Sequence, residues 1–397
     1  MLQAKLNNGK LITLFEFSKQ EIEVLRSDHV FFCPVCKGKV IIKSGSKIIP
    51  HFAHQNRKNC QTHEGGEGIY HEQGKIMLYQ WLIKQGLEVA LEQYISSIKQ
   101  RCDIFLSVGK KKIALEYQCA RIPIKEIKKR TWSYLSVGIQ PIWILGATNL
   151  KRTTKHSFKV DHFLLQFLHQ FQDQSIPVLY FFDPHSKFFT MIGNVFQIGK
   201  RRMIGDFIIK KLDSMIFLDM FKMSVFSKEL FLNEWRKAKY QYRMYQPKKL
   251  YGTELSWYNW LYYKGTHREF LPSVIYLPIS SQYKMLTSLW DWQSRICLEF
   301  IDPIPIGAVF SVNSCHFQLR KTISTDPFPL IQPSADPIME YLHLLTALGI
   351  IEQISEHEFR KSKNLHHYSH IEDALKGDEE LLKELLNIFE TKYEHDS

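Results

Sequence analysis

The sequence predicts a mixed α/β fold in three parts. These are a small β module over residues 1–62, an α/β domain over 63–150, and a mostly helical region over 151–397. Three observations predict it. Six cysteines and histidines fall within the 31 residues from Cys33 to His63, among short strand-like runs. Between Gly66 and Leu145 the hydrophobic period runs helix, three strands, helix, strand, the pattern of a sheet with helical cover. At 397 residues the chain exceeds the usual size of one domain, so two or three are expected.

Asn7-Asn8-Gly9 lies between apolar runs, as in a hairpin connection. From about Gly66 to Gly86, Ile69, Ile76, Tyr79 and Ile83 share one helical face. Strand-like runs follow at Leu87–Ile95, Arg101–Val108 and Lys112–Cys119, the last two joined by Gly109-Lys110-Lys111. Pro123 opens a helix to about Val137, and Gln140–Leu145 reads as a buried strand. Residues 148–160 are polar and basic and read as a linker. Beyond them come an amphipathic helix (His162–Phe171), a strand (Val178–Phe182) and a long section rich in aromatics and lysines. A proline-rich second linker covers 321–337. Asp336 as N-cap, Pro337 at N1 and Gly349 bracket a helix, and Leu381, Leu382, Leu385 and Leu386 mark a terminal amphipathic one. The helix at 337–349 with Ile350-Ile351 also resembles part of a winged-helix unit, beside the plainer reading of a core helix.

With 45% hydrophobic and 13% aromatic residues, wholesale disorder is excluded. No apolar run reaches the length of a membrane span, and the N-terminal residues lack the layout of a secretory signal. Seven cysteines, five of them within the first 119 residues and interleaved with histidines, do not form a disulfide framework. A cytoplasmic protein with metal-ligating cysteines is expected. The net charge is +12, but residues 371–397 carry −6, leaving +18 on the rest. A polyanion partner, nucleic acid first, is the expectation beside that of merely solvated basic faces.

The segment from Cys33 reads C-x2-C-x14-H-x2-H-x5-C-x2-H. A C-x2-C turn brings two thiolates to one ion, and zinc takes four such ligands in a tetrahedron. The expected set is Cys33, Cys36, His54 and Cys60, with His51 as rival to His54, around a structural Zn²⁺. Asp103 and Glu116 fall in the second and third strands, and Glu116 shares a face with Gln118 by the two-residue period. Acids in apolar strands are costly unless neutralised. Mg²⁺ or Mn²⁺ would bridge them and activate water against a phosphodiester, whereas sheet-edge pairing with lysines is the plainer alternative. Glu67, His71 and Lys75 recur every four residues on the preceding helix and extend the candidate site.

The string CPVC…HFAH…C, the helix with Glu67, His71 and Lys75, then CDIFL, LEYQ, a basic helix and PIWIL resemble the CoiA competence-protein family over residues 1–150. The order of elements is similar to the PD-(D/E)xK nuclease fold. The resemblance implies a zinc-binding module before a nuclease domain. It also implies action on incoming DNA during natural transformation and recombination, alongside the RecA recombinase. Asp103 and Glu116 would be the metal-binding acids, with Glu67 or His71 as the helix ligand. Gln118 departs from the usual lysine of the motif, and Lys75, Lys125 or Lys128 would stand in for it. The alternative is a non-catalytic mediator that binds single-stranded or branched DNA and recruits RecA. An RNA-binding module shares the charge pattern.

Residues 235–268 interleave cations with aromatics, the composition that holds a single strand by phosphate contacts and base stacking. Lys237, Lys239, Arg243, Lys248 and Lys249 are the candidate DNA-binding residues there. Lys125, Lys128, Lys129 and Arg130 form a second candidate cluster on the helix after Glu116. Core tryptophans and solvated helix faces are the plainer reading of both.

Overall fold

The computed structural model describes residues 1–45, 48–55, 60, 68–171, 177–222, 227–245, 247, 249–325, 327–331 and 336–394, the side chains of 389–394 excepted. The N-terminal sheet has five antiparallel strands in the order β2-β1-β3-β4-β5: β1 (Gln3–Leu6), β2 (Leu11–Thr13), β3 (Phe31–Phe32), β4 (Lys39–Gly45) and β5 (Ile48–His54). Gly9 turns the β1–β2 hairpin at φ +83°. A helix not expected from the sequence, α1 (Lys19–Asp28), covers this sheet. Ser18 and Glu21 close a capping box at its start, and Ile22 alone is buried with Phe31 and Phe52. Seven polar residues in ten hide its short apolar stripe.

The central sheet has nine strands. Helix α2 (Ile69–Ile83) precedes β6 (Glu88–Leu91), a small ribbon of β7 (Tyr94–Ile95) and β8 (Gln100–Arg101), then β9 (Ile104–Val108) and β10 (Lys111–Gln118). Helix α3 (Ile124–Ser136) crosses to β11 (Ile139–Gly146), which lies parallel to β10 with Glu116 opposite Trp143. The sheet does not stop there. β12 (Lys151–Arg152) and β13 (Ser157–Lys159) follow, then the short α4 (His162–Leu165), β14 (Leu179–Asp183), β15 (Phe188–Gly199) and β16 (Arg202–Lys211). The order is β12-β13-β16-β15-β14-β11-β10-β9-β6. The boundary expected at residue 150 therefore cuts through one sheet, and the linker expected at 148–160 contains two of its strands. The cause is burial: Phe158, Phe181 and Phe182 are fully buried, so the sheet gains more from extension than from ending at β11.

Helix α2 covers one face and α3 the other. Leu78 and Leu82 of α2 pack with Ile104, Leu115 and Tyr117, while Tyr134 of α3 packs with Ala114 and Cys102. Successive residues of β10 thus alternate between the two helices. Gly74 lets α2 approach closely, since a Cβ there would lie 2.1 Å from the Tyr117 ring.

The C-terminal region is mostly helical: α5 (Lys228–Met244), α6 (Gly252–Tyr263), α7 (Leu289–Ile296), α8 (Val312–Leu319), α9 (Pro337–Ala347) and α10 (Ile371–Glu394). Strands β17 (Val309–Ser311), β18 (Ile351–Gln353) and β19 (Glu358–Lys361) form an antiparallel sheet in the order β17-β19-β18. With α7, α8 and α9 this gives helix–strand–helix–helix–strand–strand, the order of a winged-helix unit. Ile338, Tyr341, Leu342 and Leu345 face α9 into the core. The acidic α10 is packed rather than loose, with Leu385 fully buried and Asp378 paired with Arg243 at 2.8 Å. No helix among the described residues is long and apolar enough to cross a membrane.

Candidate functional site

The N-terminal sheet gathers Cys33, Cys36, His54 and Cys60 so that one ligand atom of each lies within 4.8 Å of the others. Cys33 and Cys36 flank the turn after β3, and His54 ends β5. Their spacing fits a metal: Cys33 Sγ and Cys60 Sγ are 4.0 Å apart, and Cys36 Sγ and His54 Nε2 are 3.3 Å apart. Bond lengths of about 2.3 Å to sulfur and 2.0–2.1 Å to nitrogen give tetrahedral edges of about 3.8 and 3.6 Å. The donor set is compatible with a structural zinc ion. His51 points elsewhere, its Nδ1 lying 2.9 Å from the Ile49 carbonyl oxygen, so His54 is the histidine of the cluster. Burial pushes the Cys33 thiol up to about 11, and the neighbouring Cys60 and Cys36 add to the rise; a cation would reverse that. His63 lies outside the described residues.

A second polar cluster forms where α2 crosses the ends of β6 and β9. His71 Nε2 lies 3.5 Å from Asp103 Oδ2, and its ring stacks on Tyr117 with centroids 5.6 Å apart. The Tyr117 backbone N–H donates to Asp103 Oδ2 at 2.9 Å. One helical turn on, the fully buried Lys75 places its Nζ 2.8 Å from Glu92 Oε1 and 3.7 Å from Asp103 Oδ1. Glu92 carries no motif and falls within the run Leu87–Ile95 that reads as a strand, whereas it forms the turn just after β6. Its φ of +49° and its burial mark it as a fixed member. It also accepts the Leu2 backbone N–H at 2.9 Å, which ties the N-terminal module to this cluster. Glu67 lies outside the described residues.

Glu116 of β10 is buried and takes its partners from α3. Arg130 Nη2 donates to its Oε2 at 2.7 Å, and the Tyr134 hydroxyl donates to Oε1. Burial and then the charge of Glu116 hold the Tyr134 phenol above its ordinary pKa, so it stays a donor. Asp103 thus has His71 and Lys75 of α2 beside it, and Glu116 has Arg130 and Tyr134 of α3. Both are hard oxygen donors suited to Mg²⁺ or Mn²⁺, and each already has a cation of the chain beside it. Gln118 Nε2 donates to the Ala120 carbonyl oxygen at 2.6 Å. Among the described residues, the cysteine–histidine set is the only group of three or more such side chains within coordinating reach.

Three domain models of one family match the chain in order: Competence protein CoiA, N-terminal domain over 14–63, nuclease-like domain over 67–225, and C-terminal domain over 230–375. The chain belongs to the CoiA competence-protein family. It is 27% identical over 331 residues to the Competence protein CoiA of Bacillus subtilis (strain 168), an alignment covering 81% of this chain and 87% of the relative. No solved structure matches it. The nuclease-like match spans the whole nine-stranded sheet, and both His71–Asp103 and Glu116 lie within it.

Seen in this CoiA-family chain, the expected DNA-binding residues divide. Lys125 and Lys129 are exposed on α3, and Lys249 is exposed beyond α5. Lys128 is half-buried, and Lys237 is exposed but lies 2.7 Å from Glu234. Lys248 lies outside the described residues. Arg130 is corrected from phosphate contact to partner of Glu116. Lys239 and Arg243 are also corrected, because both are buried. Lys239 donates to the carbonyl oxygens of Ser273 and Ile275, and Arg243 pairs with Asp378 through two nitrogens. Helical spacing turns them inward with Trp235, and α10 supplies the matching charge. Trp235 and Trp257 are core residues, whereas Tyr240, Tyr245, Tyr262 and Tyr263 are exposed.

Proposed function

We propose that this chain is a metal-dependent nuclease acting on DNA during natural transformation, held by a structural zinc module and working in the cytoplasm alongside RecA. The observation that carries the reading is the convergence of His71, Lys75 and Asp103 inside a nuclease-like domain. Family membership supports the link to competence, and the RecA link rests on that resemblance alone.

Asp103 and Glu116, with Glu67 or His71, would hold Mg²⁺ or Mn²⁺. Such an ion lowers the pKa of bound water and polarises a phosphodiester. Lys75 lies against both Asp103 and Glu92 and fixes their carboxylates in place, and the Tyr117 amide orients Asp103. Arg130 and Tyr134 position both oxygens of Glu116, so Arg130 must yield or share that carboxylate when an ion binds. Gln118 supplies no positive charge, which leaves Lys75, Lys125 or Lys128 as the cation near developing negative charge.

One observation favours a second reading. Glu116 is already neutralised by Arg130, as in a structural ion pair. On that reading the chain is a non-catalytic DNA-binding mediator. Incubation of purified protein with single-stranded, duplex and branched DNA, with Mg²⁺ or Mn²⁺ and with chelator, separates the two. Metal-dependent cleavage of any of them supports the nuclease. Binding without cleavage supports the mediator.

A further inference from the structure

At the far end of the central sheet three cations stand in one cross-strand row. Lys151 of β12 is registered opposite Lys159 of β13, and Lys159 opposite Arg202 of β16. Directly paired residues project on the same face at a strand pitch of about 4.8 Å. Like charges so placed repel one another. Arg202 donates to the Gln241 side chain at 2.9 Å, and neither lysine has an acidic partner among the described residues.

The row joins two cavities. Lys151 and Lys159 line a groove of about 810 Å³ with Lys200, Arg201 and Arg121, where the one acid, Asp161, is paired with Arg121. Arg202 and Lys200 line a second cavity of about 600 Å³ on the other side of the β15–β16 turn. Its walls are aromatic: Tyr242 and Trp290 lie with ring centroids 5.3 Å apart, and Tyr245 at the mouth is 65% exposed. Two acids, Glu254 and Asp291, also line it. The buried Tyr242 hydroxyl has no hydrogen-bond partner among the described residues, an unsatisfied group in the wall of an aromatic cavity.

We propose that a single-stranded polynucleotide crosses the β15–β16 turn here. Its phosphates lie along Lys151, Lys159, Lys200 and Arg202, and one unstacked base enters the cavity beside Tyr242, Tyr245 and Trp290. Phosphate relieves the like-charge row, and the aromatic walls stack the base without selecting its sequence. Four strand spacings, about 19 Å, separate β16 from β10, so this site is distinct from the Asp103 cluster. It shares only the polynucleotide ligand with the proposed nuclease.

Fluorescence anisotropy of labelled (dT)30 in EDTA tests the site apart from any cleavage. The double variant K151E/K159E should bind at least tenfold more weakly at 50 mM salt, with a log–log salt slope shallower by about 1.4. Tyr245→Ala should weaken (dT)30 at least about fivefold and leave an abasic strand of equal length unaffected. RNA of the same length bound equally well would widen the ligand to both sugars and keep the site. Wild-type affinity in K151E/K159E overturns the proposal. A response to that variant but none to Tyr245→Ala overturns the base pocket, as does equal competition by anionic vesicles. Far-ultraviolet circular dichroism on these exposed substitutions confirms folding.

Discussion

Replacing Lys75 with Met removes the cation that holds the Asp103 cluster together. At 2.8 Å and an effective dielectric of 20, its attraction to Glu92 is about 6 kcal/mol before desolvation, and the desolvation of two buried ions offsets most of that. The loss on removing one partner is larger than the net worth of the pair, because Glu92 is left buried. Arg101, 3.9 Å away, and the Leu2 amide compensate in part, so the cost should fall near the low end of the usual range, about 3 kcal/mol. Urea unfolding followed by tryptophan fluorescence reads it, with Lys75→Met, Glu92→Gln and the double variant forming a cycle. The double variant should recover at least about 1.5 kcal/mol relative to the sum of the singles. Lys75→Met within 1 kcal/mol of wild type, or strict additivity, would refute the hub and free Lys75 for a purely catalytic role.

Cys36→Ala should lose about one zinc per chain by elemental analysis and loosen residues 1–54 to protease, while full stability after chelation would sink the metal assignment. Gly74→Ala drives a Cβ into the Tyr117 ring and should cost at least about 1–3 kcal/mol by thermal melting; an unchanged melt would mean that α2 sits farther from the sheet. His169 is buried, accepts the Trp143 N–H at 2.9 Å, and has its pKa depressed by burial from 6.5 to about 3. The unfolded state therefore binds the proton first. Its contribution is fully present above pH 6.5 and is lost as pH falls toward 3, at up to about 1.4 kcal/mol per pH unit. A His169→Gln variant should show a shallower loss of stability from pH 6.5 to 4.5, and an equal slope would contradict the assignment.

The alternation of period made the helix α2, the strands β9 and β10, and α3–β11 legible as elements, but the face read for α2 through Ile69, Ile76, Tyr79 and Ile83 is not its buried one: Ile69 and Ile83 are exposed, while Lys75, Leu78 and Leu82 turn inward. The cysteine–histidine set was legible for a different reason: ligand spacing is a local constraint that the chain must satisfy within 28 residues, from Cys33 to Cys60. Three things were not. The strand read at Val178–Phe182 is β14, but β12 and β13 continue the sheet through a basic stretch whose exposed faces resemble a linker, and β15 and β16 lie in the section read only as rich in aromatics and lysines. Lys239 and Arg243 read as surface cations because their partner, Asp378, is 135 residues further on from Arg243. Glu92 carries no periodic or motif signal, and its role comes from where Lys75 and Leu2 meet it. Glu116 lies in β10 as the two-residue period indicates, but Asp103 sits in the bend just before β9 rather than within a strand, and periodicity alone did not say that α2 and α3 would each supply a separate cation.

Cleavage by wild type, Asp103→Ala and Glu116→Ala, measured beside DNA affinity on the same preparations, tests the central claim most directly. Single-stranded, duplex and branched DNA are incubated with Mn²⁺ or Mg²⁺, and binding is read separately in chelator. The account predicts metal-dependent cleavage by wild type and none by either variant. Affinity should be nearly unchanged, because it resides on basic surfaces away from the two carboxylates. Cleavage that survives both substitutions, or wild type that binds DNA tightly and cuts none of it with either ion, would contradict it.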